Sequence, residues 1–145
     1  MSDAETLDGM STVEVRTSAT AALIPTIRAV ASDLAARADF DLDAISDLRM
    51  AVDEACATLV DVAAPSTMLQ CTFLVHAEHI EVHAEVRAGA ADAVVSTDTF
   101  GWRVLQTLAD SVEALRKDAD SADAVDHAGP TVGIRLDKRA GASPR

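Results

Sequence analysis

The sequence predicts an α+β fold, a two-layer sandwich in which helices cover one face of a mixed β-sheet. Three observations predict this class. Four short segments alternate apolar and polar residues as strands do, and three longer segments have the apolar spacing of helices. The segments follow the order β-α-α-β-β-α-β, in which helices do not alternate singly with strands. This order excludes a doubly wound parallel sheet.

The first half of the chain is predicted to contain one strand and two helices. Valines alternate with charged residues at 12–17, which indicates a strand. Ser18 or Thr20 can cap the helix that follows, and this helix ends by about Asp39. A second helix is expected over 42–62, where apolar residues recur at spacings of three and four.

Two further strands are predicted at 68–76 and 79–87, joined as a hairpin at Ala77 and Glu78. In the second of these strands, apolar side chains alternate with histidine and glutamate side chains. Successive side chains of a strand point to opposite faces of the sheet. One face is therefore expected to be core, and the other to be wet or covered by something polar.

The last part of the domain is predicted to contain a loop at 88–99, a helix at 101–116, an acidic loop at 117–128 and a closing strand at 131–136. The helix prediction depends on five apolar residues at helical spacing, namely Val104, Leu105, Leu108, Val112 and Leu115.

Length and composition indicate one globular domain of 145 residues. We expect this domain at 12–137, between a flexible acidic N-terminus at 1–11 and a flexible basic tail at 138–145. The N-terminus does not have the pattern of a secretory signal, and no apolar run approaches the roughly 20 residues of a membrane span. The expected location is the cytoplasm.

The charge balance indicates the kind of partner. Lys and Arg number 12 against 24 Asp and Glu, which gives a formal net charge of -12. This charge argues against direct nucleic-acid binding and against binding to anionic membranes, and it favours a basic protein surface. Arg28, the one cation inside the first predicted helix, is interpreted as a solvated residue, with a partner contact as the alternative.

The cysteines and histidines leave further interpretations open. Cys56 and Cys71 lie in apolar runs, which favours ordinary buried thiols over a redox pair. Of the three histidines at 76, 79 and 83, His79 and His83 are four residues apart on one strand. That spacing corresponds to roughly 13 Å, too far for the two to share a metal ion.

The predicted helix at 42–62 carries the most informative polar pattern. Glu54 points away from the apolar stripe, and Thr58 lies one turn further along in nearly the same direction. One interpretation is a solvated acidic face, shared with Asp47, Asp53 and Asp61. The other is a carboxylate and a hydroxyl held together over the sheet for a chemical purpose.

A family resemblance supports the second interpretation. The run DLRMAVDEACATLV at 47–60 resembles the N-box of the RsbW-like anti-sigma factors, in which Ala51, Val52, Glu54 and Ala55 match. The stretch TFGWRVLQTLADSVEAL at 99–115 resembles the later glycine-rich box, and GPTVGIRL at 129–136 resembles the last strand. The resemblance extends over roughly 13–136. It implies the histidine-kinase/Hsp90-like ATPase fold and is strongest to actinobacterial anti-sigma factors of sigma-B/sigma-F type sigma factors.

The resemblance also implies roles for five residues. Glu54 stands at the position of the general base that deprotonates a substrate serine, and Thr58 stands where the family has an Mg²⁺-binding Asn. Gly89, Gly101 and Thr131 stand at positions that contact ATP in the family.

Three departures from the family pattern weaken the implied site for ATP and Mg²⁺. A threonine replaces the metal-binding Asn, and Thr99 replaces the first glycine of the phosphate turn. The family's Asp-x-Gly-x-Gly is replaced by the residues 87–91, in which Arg87 cannot accept a hydrogen bond from adenine. These departures argue against kinase activity.

The function implied by the resemblance is that of an anti-sigma factor. Such a protein binds and sequesters an alternative sigma factor of the stress or sporulation type, and so represses transcription. The resemblance further implies a homodimer and release by an anti-anti-sigma antagonist. The alternative is an ATP-dependent serine-protein kinase that phosphorylates this antagonist, with Glu54 as base. A third possibility is a signalling module of the same fold without a sigma target.

Overall fold

The computed structural model describes residues 10–118 and 129–141. The acidic loop predicted at 117–128 lies almost wholly outside these residues, as does most of the N-terminus predicted at 1–11. Strands and helices have the following bounds: β1 Ser11–Ser18, α1 Ile24–Arg37, α2 Leu42–Val62, β2 Met68–Val75, β3 His79–Arg87, α3 Phe100–Leu108, β4 Ser111–Lys117 and β5 Thr131–Arg139.

The five strands form one sheet in the order β1-β2-β3-β5-β4. All four pairings are antiparallel, whereas the sequence predicted a mixed sheet. The three helices pack on one face of this sheet, and the buried core between the two layers is almost entirely aliphatic. The predicted α+β two-layer class is confirmed.

Local signals position α2, the helix that carries Glu54. Asp41 caps its N-terminus, since the Asp41 side chain accepts a hydrogen bond of 2.8 Å from the backbone N–H of Ala44. Its apolar stripe is buried, and Leu48 and Leu59 are fully inaccessible. The bounds of α2 are those predicted from the spacing of apolar residues. None of the helices in the described residues is long and apolar enough to cross a membrane.

The predicted helix at 101–116 is wrong in its second half. The helix ends at Leu108, Ala109 is extended, and 111–117 form strand β4. The backbone N–H of Asp110 donates to the Asp137 carbonyl, and the Asp110 side chain accepts from the N–H of Arg139. These bonds to β5 draw the chain into the sheet, and this is why the helical spacing of Val112 and Leu115 did not decide the structure.

The first and the last strand in the sequence both extend past the expected domain bounds of 12–137. β1 begins at Ser11, and β5 continues through Arg139, so Lys138 and Arg139 are strand residues where a tail was expected. The Lys138 ammonium is largely buried, and it donates to the Leu108 carbonyl at 2.9 Å and to Asp47 at 3.2 Å. It therefore ties the end of β5 to both α2 and α3.

Candidate functional site

The candidate site is centred on Glu54, where α2 packs against the first turn of α3. Glu54 is half-buried. Its carboxylate lies directly against Gly101, because a Cβ atom placed on Gly101 would be only 3.1 Å from Glu54 Cδ and would overlap Oε2. An alanine at position 101 would therefore have to displace the end of the Glu54 side chain.

Thr58 lies beside Glu54, as the helical spacing predicted. The Thr58 hydroxyl donates a long hydrogen bond of 3.5 Å to Glu54 Oε2, and Thr58 is also half-buried. The carboxylate and the hydroxyl thus form one polar pair. In this pair the hydroxyl is directed towards a carboxylate of its own helix.

The N-terminus of α3 is closed by its own cap. The Thr99 side chain accepts a hydrogen bond of 3.0 Å from the N–H of Trp102, and Trp102 is buried. A helix N-terminus carries partial positive charge, which favours a nearby anion. The Glu54 carboxylate lies at this end of α3.

The end of β3 lies beside the end of α2. The N–H of Gly89 donates to the Val62 carbonyl at 3.0 Å, and Ala88 forms a bridge with Ala63. Ala88 is fully buried, whereas the Arg87 side chain is exposed. The buried position at the end of β3 is therefore occupied by an alanine, which has no side-chain acceptor for an adenine amino group.

Thr131 is separated from the other predicted site residues. It pairs with Arg87 across β3 and β5. Both side chains belong to the open face of the sheet, which the helices do not cover, and they line a cavity of about 490 Å³ there together with Arg16 and Gln70. The structure thus brings Glu54, Thr58 and Gly101 together, places Gly89 at the end of α2, and puts Thr131 on the other side of the sheet.

Four cavities were found in the described part of the chain, and neither Glu54 nor Thr58 lines any of these four.

Two carboxylates of the acidic α2 face are ion-paired rather than simply solvated. Asp53 accepts a hydrogen bond of 2.9 Å from Arg28 of α1, and Asp47 pairs with Lys138. Arg28 is therefore a bridge between α1 and α2. Asp61 is exposed, as the solvated interpretation predicted.

The open face of the sheet carries a second polar cluster. Glu81 bonds at 2.9 Å to both His83 and Arg135, and the His76 and His79 rings stack with their centroids 4.2 Å apart. The hydrogen bond from His83 and the charge of Arg135 hold the pKa of Glu81 below its usual value, although burial opposes this. The alternation of His and Glu along β3 predicted a polar face of the sheet. It did not predict that Glu81 would be the residue to which His83 and Arg135 both bond.

The described residues contain no group of three metal-ligating side chains that could hold an ion. His79 bonds to Asp137 at 2.6 Å, whereas the buried Nε2 atom of the stacked His76 has no hydrogen-bond partner among the described residues.

Comparisons with known proteins agree with this fold. A family model described as a histidine kinase-like ATPase domain matches residues 17–124. Two relatives, each named Anti-sigma-F factor RsbW and belonging to the CDC 1551 / Oshkosh and ATCC 25618 / H37Rv strains of Mycobacterium tuberculosis, are 32% identical to this chain over 137 residues. The match covers 94% of this chain and 79% of each relative. The chain belongs to the RsbW-like anti-sigma factors of the histidine kinase-like ATPase family.

Proposed function

We propose that this protein binds and sequesters a sigma-F-like alternative sigma factor, and that it does so by stoichiometric binding without nucleotide. Family membership supports the sigma factor as partner. The observation that carries the second part is the end of β3, where Arg87 lies on the open face of the sheet and the buried Ala88 offers adenine no side-chain acceptor.

The residues at the site do not fit Mg-ATP. The Arg87 side chain lies on the open face of the sheet, and the alanine at the buried end of β3 offers adenine no acceptor. The Thr58 hydroxyl is directed to Glu54 rather than to an open position where a metal ion could bind. Each missing polar contact typically costs about 1–3 kcal/mol, so the combined loss removes most of the affinity for ATP.

The charge of the chain supports a basic partner. With a net charge of -12, its field attracts positively charged protein surfaces and accelerates their association. A sigma factor must contact DNA, and DNA-binding surfaces are basic. We propose in addition, from family resemblance, that the protein is a homodimer in the cytoplasm and that an anti-anti-sigma antagonist competes for it.

A pull-down from an extract of the source cells tests this function. The tagged protein is used with and without Mg-ATP, and bound proteins are identified by mass spectrometry. We expect a sigma factor in equal amounts under both conditions. Recovery only with Mg-ATP would show that the site still binds nucleotide, and the absence of any sigma factor would contradict the proposal as a whole.

Reconstitution with purified components makes the test quantitative. RNA polymerase is loaded with the recovered sigma factor, and transcription is measured as the protein is added. We expect inhibition to be complete near one equivalent and to be unchanged in Glu54→Gln. The matched control is Asp61→Asn, which removes an exposed carboxylate from the same helix.

The kinase alternative has one observation in its favour, which is that Glu54 retains the half-buried carboxylate that a general base needs. A kinase would transfer phosphate from ATP to a serine of the antagonist, and Glu54→Gln would abolish the transfer. Incubation of the antagonist with Mg-ATP and the protein, followed by phosphopeptide mapping, separates the two functions. We expect no phosphoserine above the background of the Glu54→Gln variant.

A further inference from the structure

The two cysteines meet in the interior between α2 and β2. Cys56 and Cys71 are 15 residues apart in the chain, and their Sγ atoms are 3.8 Å apart within one sulfur–sulfur hydrogen bond. Both side chains are buried, with exposures of 1% and 0%. Sequence spacing could not reveal this contact, because the two residues belong to different layers of the sandwich.

Each of the two sulfur atoms has the other as its hydrogen-bonding partner. Cys71 lies in the middle of β2, between Val15 of β1 and Ala84 of β3. A disulfide requires a sulfur–sulfur distance of about 2.05 Å. The Sγ atoms must therefore approach by roughly 2 Å, which lies within the reach of side-chain rotation and small shifts of a helix over a sheet.

We propose that Cys56 and Cys71 form an oxidative modification site, in which hydrogen peroxide converts the two thiols into a disulfide that joins α2 to β2. This modification is separate from sigma-factor binding, and its chemistry does not depend on the proposed function.

The reaction has two balanced steps. The thiolate of one cysteine attacks one peroxide oxygen, the O–O bond breaks, and this cysteine becomes a sulfenic acid while hydroxide leaves and takes up a proton. The sulfur of the other cysteine then attacks the sulfenic sulfur, the S–S bond forms as the S–O bond breaks, and the oxygen leaves as the second water with the proton of the attacking thiol. In total, two thiols and one hydrogen peroxide give one disulfide and two waters.

The environment slows the first step. The hydrogen bond with Cys71, burial and the negative charge of Asp53 all raise the pKa of the Cys56 thiol, so this thiol keeps its proton in the closed fold. Because both sulfurs are buried, oxidation depends on local opening and is slower than that of a free cysteine.

The bond would act directly on the candidate site. Cys56 lies between Glu54 and Thr58 in α2, so a disulfide at Cys56 fixes this turn of the helix to the sheet. The bond also closes the loop from 56 to 71, which contains the end of α2 and the turn into β2. A loop of this length restricts the unfolded chain, which raises the melting temperature by roughly 10 °C.

The test uses the full folded chain treated with hydrogen peroxide, followed by alkylation of the remaining thiols and peptide mapping without reductant. We expect the Cys56 and Cys71 peptides of one chain to be linked without cross-links between chains, with the rise in melting temperature reversed by a thiol reductant. The variants Cys56→Ala and Cys71→Ala should show neither the linkage nor the rise.

Several results would overturn the proposal. One is a wild-type protein in which both cysteines are alkylated in full after oxidation and denaturation. Others are sulfinic acid without a disulfide, or disulfides between two chains only. Because the map uses the wild-type chain, it stays decisive if either alanine variant fails to fold, and it involves no sigma factor.

Discussion

The carboxylate of Glu54 lies against Gly101, so that the Glu54 side chain of α2 meets the backbone of α3 at a residue without a side chain. This contact places a negative charge at the N-terminus of a helix. Its strength can be measured, because a single methyl group at position 101 must displace the carboxylate.

Gly101→Ala is expected to destabilise the fold by about 1–3 kcal/mol, because the new Cβ overlaps Glu54 Oε2 in a closely packed contact. In a chain that already carries Glu54→Ala, the same change should be neutral or should stabilise by up to about 1 kcal/mol, since alanine favours helix more than glycine does. Urea unfolding of the two single variants and the double variant gives the coupling energy.

Gly89→Ala is the control for this experiment. A Cβ atom at Gly89 would meet its nearest neighbour, Ala64 Cα, at an ordinary contact distance of 3.5 Å. We expect a change within about 0.5 kcal/mol. A Gly101→Ala variant as stable as the Gly89→Ala variant would contradict the Glu54 contact.

The ion pair between Arg28 and Asp53 should contribute more than an ordinary surface pair. The two side chains are only 34% and 35% exposed, and Asp53 Oδ1 is buried without a hydrogen-bond partner among the described residues. Arg28→Ala leaves that carboxylate without its cation, and we expect a loss of about 1–2 kcal/mol. A double-mutant cycle with Asp53→Ala isolates the pair.

The matched pair for comparison is Arg37 and Asp33, which lie one turn apart in α1 and are 76% and 60% exposed. Its coupling should be about 0.5 kcal/mol or less, and salt should weaken it further. Equal coupling energies in the two cycles would rule out a structural role for Arg28.

Acidification should remove the stability that Glu81 contributes. The pKa of Glu81 is lowered from its usual value of 4.5, so its contribution is fully present above pH 4.5 and is lost as the pH falls through the lowered pKa. Glu81→Gln should therefore cost about 1–3 kcal/mol at neutral pH, and this cost should shrink towards pH 3.

Unfolding by urea between pH 3 and pH 7 measures this effect. Glu113→Gln serves as the control, because the Glu113 side chain is 57% exposed and lies 3.6 Å from the same Arg135. We expect the control to follow the wild-type pH profile closely. If the free energy of unfolding of Glu81→Gln changed with pH in parallel with that of the wild type, the prediction would be contradicted, because Glu81 would then titrate alike in the folded and unfolded states.

Lys138 should be a structural residue. Lys138→Met removes the hydrogen bonds to the Leu108 carbonyl and to Asp47, and we expect a loss of about 1–2 kcal/mol. Arg139→Gln, at the exposed neighbouring position, should change stability by less than about 0.5 kcal/mol. Thermal unfolding of both variants tests whether the Lys138 side chain holds β5 to the helices or behaves like a residue of a flexible tail.

Much of the fold was predictable because local and tertiary signals agree in it. The bounds of α2 and β3 follow from apolar spacing alone, since each presents one face to the same core. The prediction of one helix over 101–116 failed in its second half. The apolar residues have a helical spacing throughout, but the hydrogen bonds between Asp110 and β5 determine that the second half is a strand. Such long-range bonds have no signature in the local sequence.

The candidate site was predictable only within one helix. The pairing of Glu54 with Thr58 follows from helical geometry. The contact with Gly101 depends on how α3 packs, and the separation of Thr131 depends on strand parity, since a shift of one residue moves a side chain to the opposite face of the sheet. The same parity puts Arg87 on the open face and Ala88 in the interior.

The position of β5 has a consequence for the order of events during synthesis. This strand is the last in the described chain, yet it lies inside the sheet between β3 and β4. Until it leaves the ribosome, β4 has no neighbour and β3 presents an open hydrogen-bonding edge, on which nascent chains can aggregate. We therefore expect this protein to complete its folding only after translation has passed β5, with chaperones covering the unfinished sheet until then.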